Sequence, residues 1–286
     1  MFKYINLSRW CHTFAISVLS TTLIMTTSAI SAIAQNSIVS NHTISPINNE
    51  KMSQTDTDTD HNYEQTDPLN SPYPIPWEWV MKTYTELVGN GKTGTRYYRG
   101  PSLISPDGQY AVYSRIQVEI LPELYRSRVS SVMFLENITN GELKTITASS
   151  PLADNPFNNQ EESDMPGAIS ILIPVSWSPD GNRLLARQFE GLFSTSDASD
   201  YAVIWDRKQN SAITIAPQRI QYSNAVLLGW SPNGSDTVLF RAGTLGDEYW
   251  PVWSVDIRGD TKSAERDQPR IFGQVVTQVW GGPQTD

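Results

Sequence analysis

The chain has 286 residues, 39% of them hydrophobic and 10% aromatic, enough to build one large core or two small ones. Its formal charge is −9, and no cluster of Lys and Arg interrupts that acidity, which argues against binding to nucleic-acid backbones. All three histidines (His12, His42, His61) and the one cysteine (Cys11) precede residue 62, so the rest of the chain offers no Ser-His-Asp triad, no Cys-His pair and none of the usual zinc sites.

Residues 1–34 have the pattern of an export signal. Lys3 and Arg9 form a basic start, Phe14 to Met25 is a short apolar core, and Ala32-Ile33-Ala34 fits a small-x-small cleavage site. The apolar run is too short to span a bilayer as an anchor, so cleavage after Ala34 and a periplasmic or secreted protein with no stable membrane insertion are expected. Cys11 leaves with the signal, and no small residues precede it as in a lipoprotein acceptor site. The mature chain then has no disulfide or thiol chemistry and a net charge of −11.

From Gln35 to about Ser71, Asn, Ser, Thr and Asp dominate, a composition that buries too little surface to offset ordering, so a disordered linker is expected over 35–71. Within it Asp56-Thr57-Asp58-Thr59-Asp60 resembles the start of a calcium loop but lacks the glycine turn and distal Glu, and reads as solvated acidic linker. The folded domain is expected over 72–286. It begins with a helix over 76–88, where Trp77, Val80, Met81, Tyr84, Leu87 and Val88 follow helical spacing between Pro76 and the stop Gly89-Asn90-Gly91. That apolar stripe suits covering an edge or end of the domain behind it. Gly89 to Gly94 has phosphate-loop composition without the spacing and follows a helix, so it reads as a connection.

Beyond Gly94 the periodicity changes to two, and one five-residue stretch recurs: Ile104-Ser105-Pro106-Asp107-Gly108, Trp177-Ser178-Pro179-Asp180-Gly181 and Trp230-Ser231-Pro232-Asn233-Gly234. Each reads as a tight turn, with Pro presetting φ, Asp or Asn tolerating the next position and Gly closing without a Cβ clash. They frame three similar units, at about 97–147, 169–215 and 225–272. The first has strands expected at 97–104, 109–115, 129–135 and 142–147. The second has 169–176, 183–188, 201–205 and 212–215; the third has 225–229, 237–241, 251–257 and 270–272. An acid closes the third strand of each unit, Glu136, Asp206 and Asp256, and is assigned to capping the hairpin that follows. The turn serines lie 73 and then 53 residues apart, the longer gap holding an acidic insertion from Ser150 to Gly167.

Ser-Pro-Asp-Gly following an aromatic and preceding a strand, with an acidic residue closing the third strand of four, resembles the WD-like propeller repeats of TolB-type proteins, also found beside the hydrolase of prolyl-oligopeptidase-type enzymes. The resemblance covers about Tyr97 to Phe272. It implies an all-β fold of four-stranded antiparallel blades, here a partial or small β-propeller with one N-terminal helix, commonly exported and engaged in binding a partner. Only three turns are present where a closed propeller needs four or more blades. A fourth is obtained if Val275–Trp280 is an inner strand of another blade; otherwise the array is open or closed by a second copy, a homo-oligomer. The Gly-x-Ser-x-Gly elbow of the related peptidases is absent.

In such blades the repeated turns and the third-to-fourth-strand hairpins share one end. The other end is expected to collect Glu119, Glu123, Glu190, Asp197, Asp200, Asp247 and Glu248, with Asp154, Glu161, Glu162 and Asp164 of the insertion. Loops on a rigid scaffold are usual binding elements, and a surface of one sign attracts basic ligands; an ordinary solvated acidic surface is the plainer alternative. Three glycosylation patterns, at Asn41, Asn137 and Asn233, matter only in a glycosylating host. The expectation is an exported non-catalytic binding or scaffolding module for a protein or basic ligand, without cofactor or metal. The alternative is a glycan hydrolase working with a carboxylate pair on inner strands.

Overall fold

The computed structural model describes residues 67–153, 165–234 and 236–277. The expected signal, the expected linker up to residue 66 and the insertion acids Asp154, Glu161, Glu162 and Asp164 lie outside them, as does the end of the expected strand 275–280.

The helix α1 (Trp77–Gly89) starts behind Pro76 and carries Glu78 in its first turn, where the helix dipole favours a negative charge. It ends in a Schellman arrangement: Gly91 takes φ 63°, its N–H bonds the Val88 carbonyl at 2.9 Å, and Lys92 N–H bonds the Leu87 carbonyl at 2.8 Å. Val80, Thr83 and Leu87 are buried.

The first repeat comprises β1 (Gly94–Arg99), β2 (Ser102–Ile104), β3 (Tyr110–Ile120), β4 (Arg128–Asn137) and β5 (Leu143–Ile146). The single strand expected over 97–104 is two strands. Gly100-Pro101 interrupts it, since proline has no N–H to donate, and β1 and β2 pair with successive halves of β3. The second repeat is an antiparallel meander of β6 (Ala168–Trp177), β7 (Arg183–Leu192), β8 (Ala198–Asp206) and β9 (Ser211–Ile215). One parallel pair, Val129 with Ile169, joins it to the first in a common sheet. The third is a separate sheet of β10 (Asn224–Trp230), β11 (Thr237–Gly243), β12 (Val252–Asp256) and β13 (Thr261–Ser263). The fourth strand of this repeat is therefore 261–263 and not 270–272.

Residues 270–276 have a different place. Arg270 bridges Trp230, Trp177 N–H bonds the Phe272 carbonyl at 2.9 Å, and β14 (Gln274–Val276) pairs with β2, putting Gln274 opposite Ile104. Ile104, Trp177 and Trp230 are the residues that precede the three repeated turns. One extended segment thus meets the same position of all three repeats with every second residue, as the two-residue period of extended chain permits. Gly273 takes φ 107°, and a Cβ there would lie 2.9 Å from the Ile104 carbonyl oxygen and 3.0 Å from Trp177. The strand expected over 275–280 instead begins as an added edge of the first repeat.

Two turns are built alike. Ser105 and Ser178 donate to Asp107 and Asp180, Gly108 and Gly181 both take φ 68°, and the serine oxygens accept the N–H groups of Tyr110 and Arg183. Hydrogen bonds from the Ser178 hydroxyl and Asn182 hold the Asp180 carboxyl down at about 2, against slight burial. In the third copy Asn233 replaces the acid, and Asp267 supplies a carboxylate from elsewhere, accepting both contacts of the Asn233 amide at 2.8 Å.

Register also corrects one capping residue. Tyr110, Arg183 and Thr237 begin equivalent strands and lie opposite Asn137, Asp206 and Asp256. Those three side chains cap the following hairpins, Asn137 accepting from Thr139 N–H at 3.0 Å, so Glu136 is one residue off and free of that role.

Core residues fall into three clusters. Leu103, Val112 and Leu135 of the first repeat pack on Trp177, Leu184 and Trp205 of the second. Leu185, Ile204 and Ile215 on the other face of the second pack on Trp230, Val238 and Phe240 of the third. A third cluster joins α1 to β3, β6 and Phe189. Trp177 is fully buried, with the rings of Tyr110 at 6.1 Å and Trp205 at 6.3 Å. Trp177→Ala is expected to cost about 3–5 kcal/mol in urea unfolding, and a variant as stable as the parent would contradict this packing.

Candidate functional site

The end of the domain opposite the repeated turns carries a cavity of about 420 Å³. Its walls come from the β7–β8 connection (Phe193 to Asp197), the β11–β12 connection (Leu245 and Trp250), the start of α1 (Trp77, Met81) and the entering segment (Pro68 to Asn70). Trp77 stacks on Phe193 at 5.8 Å. Trp250 lies against Gly243, where a Cβ would come within 2.5 Å of its ring, so glycine there lets the indole seat itself. Its Nε1 donates to the Thr244 carbonyl at 3.1 Å. The Trp77 Nε1 is buried without an acceptor, a donor left unpaired beside the cavity. Two of its lining residues, Asn70 (φ 49°) and Ser194 (φ 64°), occupy the left-handed region, as do Asn210 and Arg219 elsewhere.

The expected acids separate into two groups. Asp197 lines the cavity, is exposed, and its carboxylate has no partner among the described residues. Asp247 and Glu248 are exposed in the loop between the lining residues Leu245 and Trp250, Asp247 accepting from Thr244 N–H at 3.3 Å. Glu123 adjoins the lining residue Leu124 and pairs with Arg126 at 3.5 Å, while Glu119 is exposed on β3. Among the described residues no Lys, Arg or His lines the cavity.

Glu190 and Asp200, expected among the solvent-facing loop acids, are instead buried strand residues on β7 and β8, 4% and 0% exposed. Glu190 accepts from the Ser150 hydroxyl and, at 3.0 Å, from Leu152 N–H, and Phe193 N–H bonds the Gly167 carbonyl at 2.9 Å. Both flanks of the acidic insertion are thereby fastened to the end of β7, beside the cavity. Burial pushes the Glu190 carboxyl above its ordinary value of 4.5, although the hydrogen bonds from Ser150, Leu152 and Gln188 oppose it.

Asp200 belongs to a buried ionic cluster centred on Arg187, which is fully buried on β7. Arg187 Nε donates to Asp200 at 2.7 Å, and Nη1 donates to Asp67 at 2.7 Å and to the Tyr73 carbonyl at 2.6 Å. Asp67 also accepts from the N–H groups of Leu69, Ser71 and Ile75, and Asp200 accepts from Leu227 N–H at 2.9 Å. Burial raises the Asp200 carboxyl to about 6, against the pull of Arg187 and Leu227. Burial lowers Arg187, but Asp200 and Asp67 more than offset it and the guanidinium stays charged. Residues 67–71, assigned to the linker by composition, are part of this folded body.

Asp67, Tyr73, Trp77, Phe193 and Trp250 are the site residues that pattern reading passed over. A signal existed only for Arg187, a charge inside Leu184-Leu185-Ala186-Arg187-Gln188-Phe189, where both strand faces are otherwise apolar or amide-bearing and a buried partner is required. Among the described residues no group of three His, Cys, Asp or Glu side chains is placed to hold a metal ion, and no helix is long and apolar enough to cross a membrane. No known protein family and no curated protein matches the chain.

Two measurements test this electrostatic reading. Asp67→Ala leaves Arg187 with only one buried carboxylate and is expected to cost about 3–5 kcal/mol; retention of full stability in urea would show the pair is not formed. Glu190 binds its proton more tightly folded than unfolded, so its contribution is greatest at low pH and falls as pH rises from 4.5 through its folded value. Melting temperatures of the parent and Glu190→Gln should therefore shift in favour of the variant over that window, whereas a difference that stays constant with pH would refute the raised value.

Proposed function

We propose that the chain is an exported, non-catalytic binding module, a partial β-propeller of the WD-like, TolB-type kind whose loop end captures a basic group on a protein or other ligand. The observation that carries this reading is the cavity itself. Aromatic rings line it, the Asp197 carboxylate stands on its rim with no partner among the described residues, further acids follow in the adjoining loop, and none of the described residues in its wall is a cation. A Lys or Arg side chain suits such a place, its stem over Trp77 or Trp250 and its charge toward Asp197. The rigid strands beneath supply pre-organisation, which lowers the cost of ordering on binding.

Support for propeller architecture comes from the three stacked meanders, each joined by the same turn and packed through equivalent faces. The hydrolase alternative asks for two available carboxylates at a fixed separation. Glu190, Asp200 and Asp67 are each committed to buried donors, which leaves the loop acids for ligand contact.

Trp77 and Trp250 provide intrinsic fluorescence probes for titration with Lys- and Arg-rich peptides and with Glu-rich controls. Basic peptides should saturate, weaken with added salt, and lose about tenfold affinity or more in Asp197→Asn and in Trp250→Ala. Equal binding of the acidic controls, or variants that bind as the parent does, would overturn the assignment. Glycan turnover abolished by Asp197→Asn would replace it with the hydrolase.

A further inference from the structure

The three repeats present equivalent faces, and two of them are covered. Leu184 and Trp205 in the second repeat, and Val238 and Val255 in the third, are buried against the repeat that precedes them. Strand register places Ala111 and Glu136 at these positions in the first repeat. No earlier repeat covers this face among the described residues. A dent of about 390 Å³ opens there between Arg99 and Glu136, floored by Ile104 and the buried Ala111 and bordered by Val276 of β14, and Ile138 and Leu143 beside it are 49% and 51% exposed.

The charges on this face are unbalanced locally and complementary across it. Arg99 and Arg115 are directly opposite one another on β1 and β3, a like-charged cross-strand pair that is unfavourable without a nearby anion. Arg99 is partly satisfied, lying over the Tyr113 ring at 3.9 Å and donating to Ser102 at 3.2 Å. Arg115 is exposed, and neither it nor Glu136 on the same face has an ion-pair partner among the described residues. A twofold axis through the dent lays the arginines of one copy over the glutamate of another while burying Ile138 and Leu143 of both, which is how an isologous surface complements itself.

We propose that this uncovered face of the first repeat is a homodimer interface, closed by a second copy of the chain through reciprocal Arg115–Glu136 contacts. The mixed charge selects a second copy over an acidic or a basic partner, since either of those would meet one like charge. The face is distinct from the ligand cavity at the loop end, so dimer formation does not depend on the binding function.

Sedimentation velocity of the full chain over a range of concentrations provides the test, with circular dichroism melts to verify that each variant is folded. The parent should dimerise. Arg115→Glu and Glu136→Arg should each weaken the dimer about tenfold or more, the double reversal should restore it, and Leu143→Asp should give a folded monomer. A parent that stays monomeric at every concentration, a dimer indifferent to all these substitutions, or single reversals that the double variant does not rescue would overturn the proposal.

Discussion

Arg187 is the residue on which the relative placement of several segments depends. Its guanidinium reaches the entering segment through Asp67 and the Tyr73 carbonyl, and the third strand of its own repeat through Asp200. Asp200 continues the contact into the third repeat at Leu227 N–H. A buried ion pair is weak evidence for net stability, because an apolar replacement of similar volume often serves as well. Its effect here is positional: three segments distant in sequence must each present one polar group at one point, and any shift leaves a buried charge unpaired.

That link to Leu227 belongs to a recurring pattern. The first strand of a repeat has N–H groups on its free side, and side chains from the preceding repeat's third strand accept them. Ser131 on β4 accepts from Leu172, while Ser199 and Asp200 on β8 accept from Ala225 and Leu227. Register makes Ser131 and Asp200 equivalent. Both receiving strands also carry a bulge three residues before the turn serine, between Pro174 and Ser176 and between Leu227 and Gly229. Bulges increase local twist, so strand twist and inter-repeat capping act at the same edge. The segment 270–276 then closes the other end of these strands, and its β14 pairs with β2 of the first repeat.

Features governed by local chemistry were legible in the sequence. The repeated turns, the hairpins and α1 depend on Pro, Gly, Asp and periodicity within a few residues, and most strands fall where alternation places them. Features governed by pairing across the chain were not. Nothing local distinguishes Asp67 from the acids of the linker before it, because its partner lies 120 residues away. Glu190 and Asp200 resemble loop acids until the lengths of β7 and β8 are known. Asn137 performs the capping that spacing assigned to Glu136, since only register separates neighbours of similar polarity. The strand 261–263 is short and polar, whereas Arg270-Ile271-Phe272 has the stronger strand composition and is taken by the first-strand ends instead.

The two ends of the domain differ in how their charges are matched. At the turn end, Arg207 joins Asp107 at 2.7 Å and Arg183 joins both Asp206 and Asp236, so ion pairs link neighbouring repeats there. At the loop end the acids Asp197 and Glu248 have no ion-pair partner among the described residues, and two residues in the left-handed region and the buried Trp77 indole N–H lie around one aromatic cavity. Strain and unpaired groups persist only where surrounding structure over-determines them. The buried cluster of Arg187, immediately behind this cavity through Asp67 and Phe189, supplies that rigidity. The same residue that positions the repeats thus also fixes the wall against which a ligand would close.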